Sequence, residues 1–181
     1  MRLKKEHREG DDDNYDVDRN SPDPDARFGR KSKTKSFYGY QAHEVEDAAS
    51  ELIVRVKTTP GNVHDGTQLP ELVDGRAGEA TADKAYDREA NHAHLAPVGV
   101  ACGISRRHRR PGRPRLSRRE RPQIERKFAE GKNRHGLAQA RYWGLAKVSI
   151  QVFMVALVSN LKRLVKLILG GAGAVKPADA S

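Results

Sequence analysis

Cysteine is nearly absent from this chain: Cys102 is the only one in 181 residues. That excludes a disulfide framework and a four-thiolate zinc module, and it points to a reducing compartment, most simply the cytoplasm. Aromatic residues are also few, four Phe, five Tyr and one Trp, and only 36% of the chain is hydrophobic. At 32% charged residues, the core of a chain this long is thin or incomplete. No apolar run reaches the length of about 18 residues that a bilayer span requires. The first 30 residues are too charged for a secretory leader. There is no internal repeat and no glycine-rich phosphate loop.

What the chain has in excess is positive charge, and the excess is local. Between Ser105 and His135 stand eleven Arg and two Lys against three Glu, so this window carries the whole net charge of +10. A focused cationic segment attracts a polyanion, nucleic acid first, because each neutralised phosphate releases counterions whatever the base sequence. Arg suits bidentate contact with phosphate oxygens better than Lys does. The candidate DNA-binding residues are Arg106, Arg107, Arg109, Arg110, Arg113, Arg115, Arg118 and Arg119. The same composition also describes a solvated basic linker, broken by Pro111, Gly112 and Pro114.

Patterning predicts an α/β domain with one mixed sheet. Residues 1–28, with an acidic cluster from Asp11 to Asp18, read as a disordered charged segment. Phe37 to Val45 and Leu52 to Pro60 form a hairpin. A short helix over Thr67 to Val73 is capped by Asp65. Ala80 to Asp83 is a strand, Asp87 caps a helix through Ala96, and Val98 to Ile104 is a further strand. After the basic segment a helix begins at Ile124, and a long one covers Val148 to Leu169. Its charges Lys162, Arg163 and Lys166 make it a core helix over the sheet and not a membrane anchor. Residues 29–169 are the domain and 170–181 a flexible tail.

Three positions share one helical stripe. At about 100° per residue, Arg121 lies about 40° and Lys132 about 20° from Glu125. A carboxylate between two cations stays ionised and can hold a divalent metal while the cations hold a phosphate. A surface ladder of salt bridges has the same spacing. Pro122 marks the helix start and Gly131 the point where it frays. Asp83 ends a strand, where a carboxylate faces a ligand crevice or serves a turn. His64 and Asp65 are either loop and cap or a metal and phosphate site. His92 and His94, two apart on a helix, do not share a face and are structural.

The runs Asp23-Pro24-Asp25-Ala26-Arg27-Phe28-Gly29, Phe37-Tyr38-Gly39-Tyr40-Gln41-Ala42-His43, Thr59-Pro60-Gly61-Asn62-Val63-His64-Asp65 and Ala82-Asp83-Lys84-Ala85-Tyr86-Asp87 resemble the catalytic domain of bacterial DDE-type insertion-sequence transposases. The resemblance continues through Ile124 to Glu130, Arg141 to Lys147 and Asn160 to Val165, and so covers about residues 23 to 169. It implies a ribonuclease H-like mixed sheet flanked by helices. Two Asp and one Glu would hold two Mg²⁺ (or Mn²⁺) ions for DNA strand cleavage and transfer, with the element ends as double-stranded DNA partner. Arg121, Glu125 and Lys132 match three of the four positions of the family's helical signature, and Arg118 stands at its Tyr position. The resemblance thus assigns Asp83 and Glu125 as metal ligands, with Arg121 and Lys132 beside them as catalytic cations.

No apolar strand carrying a first Asp precedes Asp23, so the expected domain lacks its first strand. Glu44 and Glu46 put two charges on a face meant to be buried. The expectation is a DNA-binding transposase fragment of a bacterial, nucleoid-associated kind, in which Asp83 and Glu125 converge on a shared pair of ions. Its rival is a catalytically inactive DNA-binding or inhibitory remnant that associates with a full-length transposase or with a second copy of itself. RNA binding is disfavoured, since the basic segment has no interleaved aromatics for base stacking.

Overall fold

The computed structural model describes residues 18, 21–30, 34–105 and 121–172. Strand β1 (Arg27–Arg30) pairs antiparallel with β2 (Ser36–Glu46), and β2 pairs antiparallel with β3 (Ile53–Pro60). A 3₁₀ turn (Asp65–Thr67) and a one-turn helix α1 (Leu69–Leu72) follow. Strand β4 (Glu79–Ala82), a second 3₁₀ turn (Lys84–Tyr86), helix α2 (Glu89–Leu95) and strand β5 (Ala101–Ile104) make a β-α-β unit whose strands are parallel. Helices α3 (Arg121–Arg134) and α4 (Leu145–Ala172) complete the described chain.

Among the described residues the expected single mixed sheet is corrected to two sheets, one antiparallel with order β1-β2-β3 and one parallel with order β4-β5. The pairing explains the split. One edge of β2 is taken by β3, its other edge is paired with β1 from Ser36 to Gly39, and among the described residues no strand links the rest of that edge to β4. Each sheet has its own apolar packing. Leu69, Leu95 and Val100 meet Ala80 and Ile104 of the parallel pair. Val148, Val152, Val155 and Ala156 bury one face of α4, which lies against β3. Asn160 fixes the register of that contact, its amide donating to the Ile53 carbonyl and accepting from the Ile53 N–H at 2.8 Å each.

Residues 21–28, read as part of a disordered segment, are ordered instead. Asp23 is buried, and its Oδ1 accepts from the N–H of Asp25 (3.1 Å), Ala26 (3.3 Å) and Gly144 (3.1 Å) and from the Tyr40 hydroxyl (2.6 Å). Asp25 Oδ2 accepts from the Leu145 N–H at 2.8 Å. Two carboxylates thus satisfy the open N–H groups at the start of α4 and complement its positive end. Burial alone would raise the Asp23 pKa, but these four donors outweigh it and hold the group below the ordinary aspartate value.

Three local expectations change as well. Asp65 does not cap the short helix, which is preceded by Gln68 with no capping side-chain bond; Asp65 instead opens the 3₁₀ turn, capped by His64, whose Nδ1 accepts from the Gly66 N–H at 3.0 Å. Asp87 does not cap α2; Arg88 precedes the helix with no capping side-chain bond. Gly131 does not end α3, which runs on to Arg134. A Cβ at Gly131 would stand 3.1 Å from Leu137 Cδ2 and 3.4 Å from Val155 Cγ1, so the missing side chain serves close packing of α3 on α4. Finally, α4 covers the sheet with only one face. Ile150, Phe153, Leu161 and Ile168 on its other side are exposed. No helix among the described residues is long and apolar enough to cross a membrane.

Candidate carboxylate site and nucleic-acid interface

Asp83 follows β4 directly and is exposed. Its Oδ1 accepts from the Ala85 N–H at 2.8 Å, so it caps the 3₁₀ turn that presents Tyr86. The Tyr86 phenol is pushed up to about 12, by burial first and then by the negative charges of Asp65 and Asp83. Asp65 in turn lies 3.9 Å from His43 Nδ1, while His43 Nε2 is 2.9 Å from Thr59 Oγ1. Burial holds His43 below its ordinary value against the pull of Asp65, with Lys57 adding to the depression, which keeps the imidazole neutral near pH 7. The structure therefore collects His43, Asp65, Tyr86 and Asp83, residues from β2, two turns and the end of β4. The sequence marks Asp65 and Asp83 as candidates and does not single out His43 or Tyr86. The signal was the alternation of β2, which puts His43 on the face opposite Glu44.

The face of β2 that carries Glu44 and Glu46 belongs to α3. Lys127 Nζ lies 3.3 Å from Glu46 Oε1 with both side chains almost wholly buried. Lys132 is exposed, its Nζ 5.7 Å from the centre of the Phe128 ring, and its charge reaches Glu44. The two glutamates read as misplaced charges are thus met by two lysines of α3. The compensation is incomplete at Glu44, whose carboxyl is pushed up to about 7, by burial first, with Glu46 adding and Lys127 and Lys132 opposing.

The unfolded chain releases this proton near the ordinary glutamate value, whereas the folded chain keeps it until about pH 7. Glu44 therefore contributes nothing below about pH 4.5, and its contribution turns increasingly unfavourable up to about pH 7. Glu44→Gln is expected to raise stability at pH 8 by about 2 kcal/mol and to leave it unchanged at pH 4.5. Urea unfolding at the two pH values checks this, and an equal effect at both contradicts it.

Glu125 lies in the first turns of α3 and is exposed; Arg121 opens the helix. Among the described residues no group of three or more His, Cys, Asp or Glu side chains is placed to hold a metal ion. Asp83 and Glu125 are therefore not assembled with a third ligand, and these residues alone do not fit a two-ion centre. Of the other expected sites, Arg106, Arg107, Arg109, Arg110, Arg113, Arg115, Arg118 and Arg119 lie outside the described residues. His94 Nε2 is 3.0 Å from the Val73 carbonyl, in keeping with a structural role.

The described strands and helices make this a mixed α/β protein, with an aspartate after β4 and a glutamate on α3, and sequence comparison gives the family. Residues 5–161 match the family described as Transposase DDE domain, and the chain belongs to it. The transposase for insertion sequence element IS1106 of Neisseria meningitidis serogroup B is 33% identical over 151 residues, which cover 78% of this chain and 52% of that protein. The chain spans about half the length of this curated relative. No solved structure matches it.

Proposed function

We propose that this chain acts in DNA transposition as a DNA-binding transposase of an insertion sequence. The observation that carries this reading is the match to the transposase DDE family over residues 5–161, whose span includes the whole arginine-rich segment. In this reading Asp83 and Glu125 are two of the family's three carboxylates. Arg121 and Lys132 hold the DNA backbone beside them, and Arg106 to Arg119 grip duplex DNA at the element ends. The mixed α/β arrangement of antiparallel and parallel strands with flanking helices is compatible with the family's ribonuclease H-like fold. Mg²⁺ or Mn²⁺ would supply the Lewis acid for strand cleavage in the family, and a further carboxylate is needed beside Asp83 and Glu125 to hold such ions.

The second reading is the expected rival, in which the chain binds DNA without cutting it and associates with a full-length transposase. A plasmid-nicking assay with added Mg²⁺ separates the two. Nicking by the chain that Glu125→Ala abolishes supports the enzyme, and plasmid binding without nicking supports the inactive form. Equal nicking by both proteins removes Glu125 from the site.

A further inference from the structure

Helix α2 and strand β5 bring together three side chains that neither the carboxylates nor the basic segment use. His92 Nε2 lies 2.9 Å from Asp87 Oδ1, and His92 Nδ1 lies 3.1 Å from Cys102 Sγ. An ionised carboxylate only accepts hydrogen bonds, so the ring proton sits on Nε2 and points at Asp87. Nδ1 then turns its lone pair to the sulfur, and the thiol donates to it. Proton transfer from Sγ to Nδ1 leaves a thiolate beside an imidazolium whose other N–H rests on Asp87. This is the order of nucleophile, base and orienting carboxylate.

Accessibility is arranged to match. Cys102 is exposed, whereas the side chains of His92 and Asp87 are each only 17% exposed. A reagent reaches the sulfur while the base and its partner are held by the protein. Strand alternation sets this up, since Cys102 and the buried Ile104 share the face of β5 that meets α2. The trio is not a metal centre among the described residues.

We propose that Cys102, His92 and Asp87 form a reactive thiol site that takes small-molecule disulfides. The Cys102 sulfur attacks one sulfur of the disulfide, so a new S–S bond forms on the protein as the old one breaks. The departing thiolate receives the proton first moved from Cys102 to His92. No net oxidant is required, because the disulfide is reduced by the same two electrons that the new bond takes from the protein thiol. With no second cysteine in the chain, the mixed disulfide persists until an external thiol removes it.

The test is the initial rate of the reduced full chain with 5,5′-dithiobis(2-nitrobenzoate), followed by its coloured thiolate from pH 6 to pH 9. At pH 6.5 the unaltered protein should react at least about tenfold faster than His92→Gln, with Asp87→Asn between them. Intact mass after treatment with glutathione disulfide should show one adduct, absent in Cys102→Ser. Equal rates for the unaltered protein and His92→Gln at pH 6.5 overturn the proposal. If His92→Gln loses its far-ultraviolet circular dichroism, Asp87→Asn decides in its place, and a rate at pH 6.5 equal to that of the unaltered protein overturns the proposal.

Discussion

Replacing the eight arginines from Arg106 to Arg119 with serine should abolish duplex DNA binding at moderate salt, and it lowers the net charge from +10 to +2. The unaltered chain should lose about four decades of affinity between 50 mM and 200 mM salt. Eight arginine–phosphate contacts give a slope of about −7 in log K against log salt. The affinity should be the same for element ends and for unrelated duplexes, because phosphate contacts carry no sequence information. Fluorescence anisotropy at four salt concentrations checks both statements. An affinity that stays level across that range would falsify the assignment of this segment as the DNA grip.

The second large effect concerns stability. Asp23→Ala removes the acceptor shared by the N–H groups of Asp25, Ala26 and Gly144 and by the Tyr40 hydroxyl. Hydrogen bonds to a charged partner contribute about 1.5 to 3 kcal/mol each, and four donors on one oxygen are far from additive, so a loss of about 3 to 4 kcal/mol is expected. Asp23→Asn keeps an oxygen but not the charge, and it should lose about half as much. Because the Asp23 pKa is depressed, its contribution is complete above the unfolded aspartate value of about 4 and fades as pH falls through the lower folded value. Denaturant midpoints at pH 7 and pH 3 measure this. A cost for Asp23→Ala below about 1 kcal/mol at pH 7 would show that α4 does not depend on this cap.

Local features were legible where the physics is local. Dense β-branched residues from Ile53 to Val56 specify β3, and Pro122 marks the start of α3, which opens at Arg121. Asp23 was not legible, because two of its donors, Tyr40 and Gly144, lie 17 and 121 residues away. Gly131 reads as a helix breaker until Leu137 and Val155 appear beside it. His92 reads as structural until β5 brings Cys102 against it across ten residues of chain. Asp83 is a candidate from its place after a strand, while its neighbours His43 and Tyr86 become visible only through their interactions with Asp65.

The sequence by itself determined the cationic segment, the order of strands and helices from β2 onward and the run of motifs that resembles the transposase DDE family, since charge, period and spacing are properties of neighbours along the chain. Tertiary structure alone decided that the described strands fall into two sheets, that Lys127 and Lys132 answer Glu44 and Glu46, and that Asp23 and Asp25 seat α4. Those outcomes turn on which distant donors, acceptors and strand edges meet, and no one-dimensional pattern encodes a meeting.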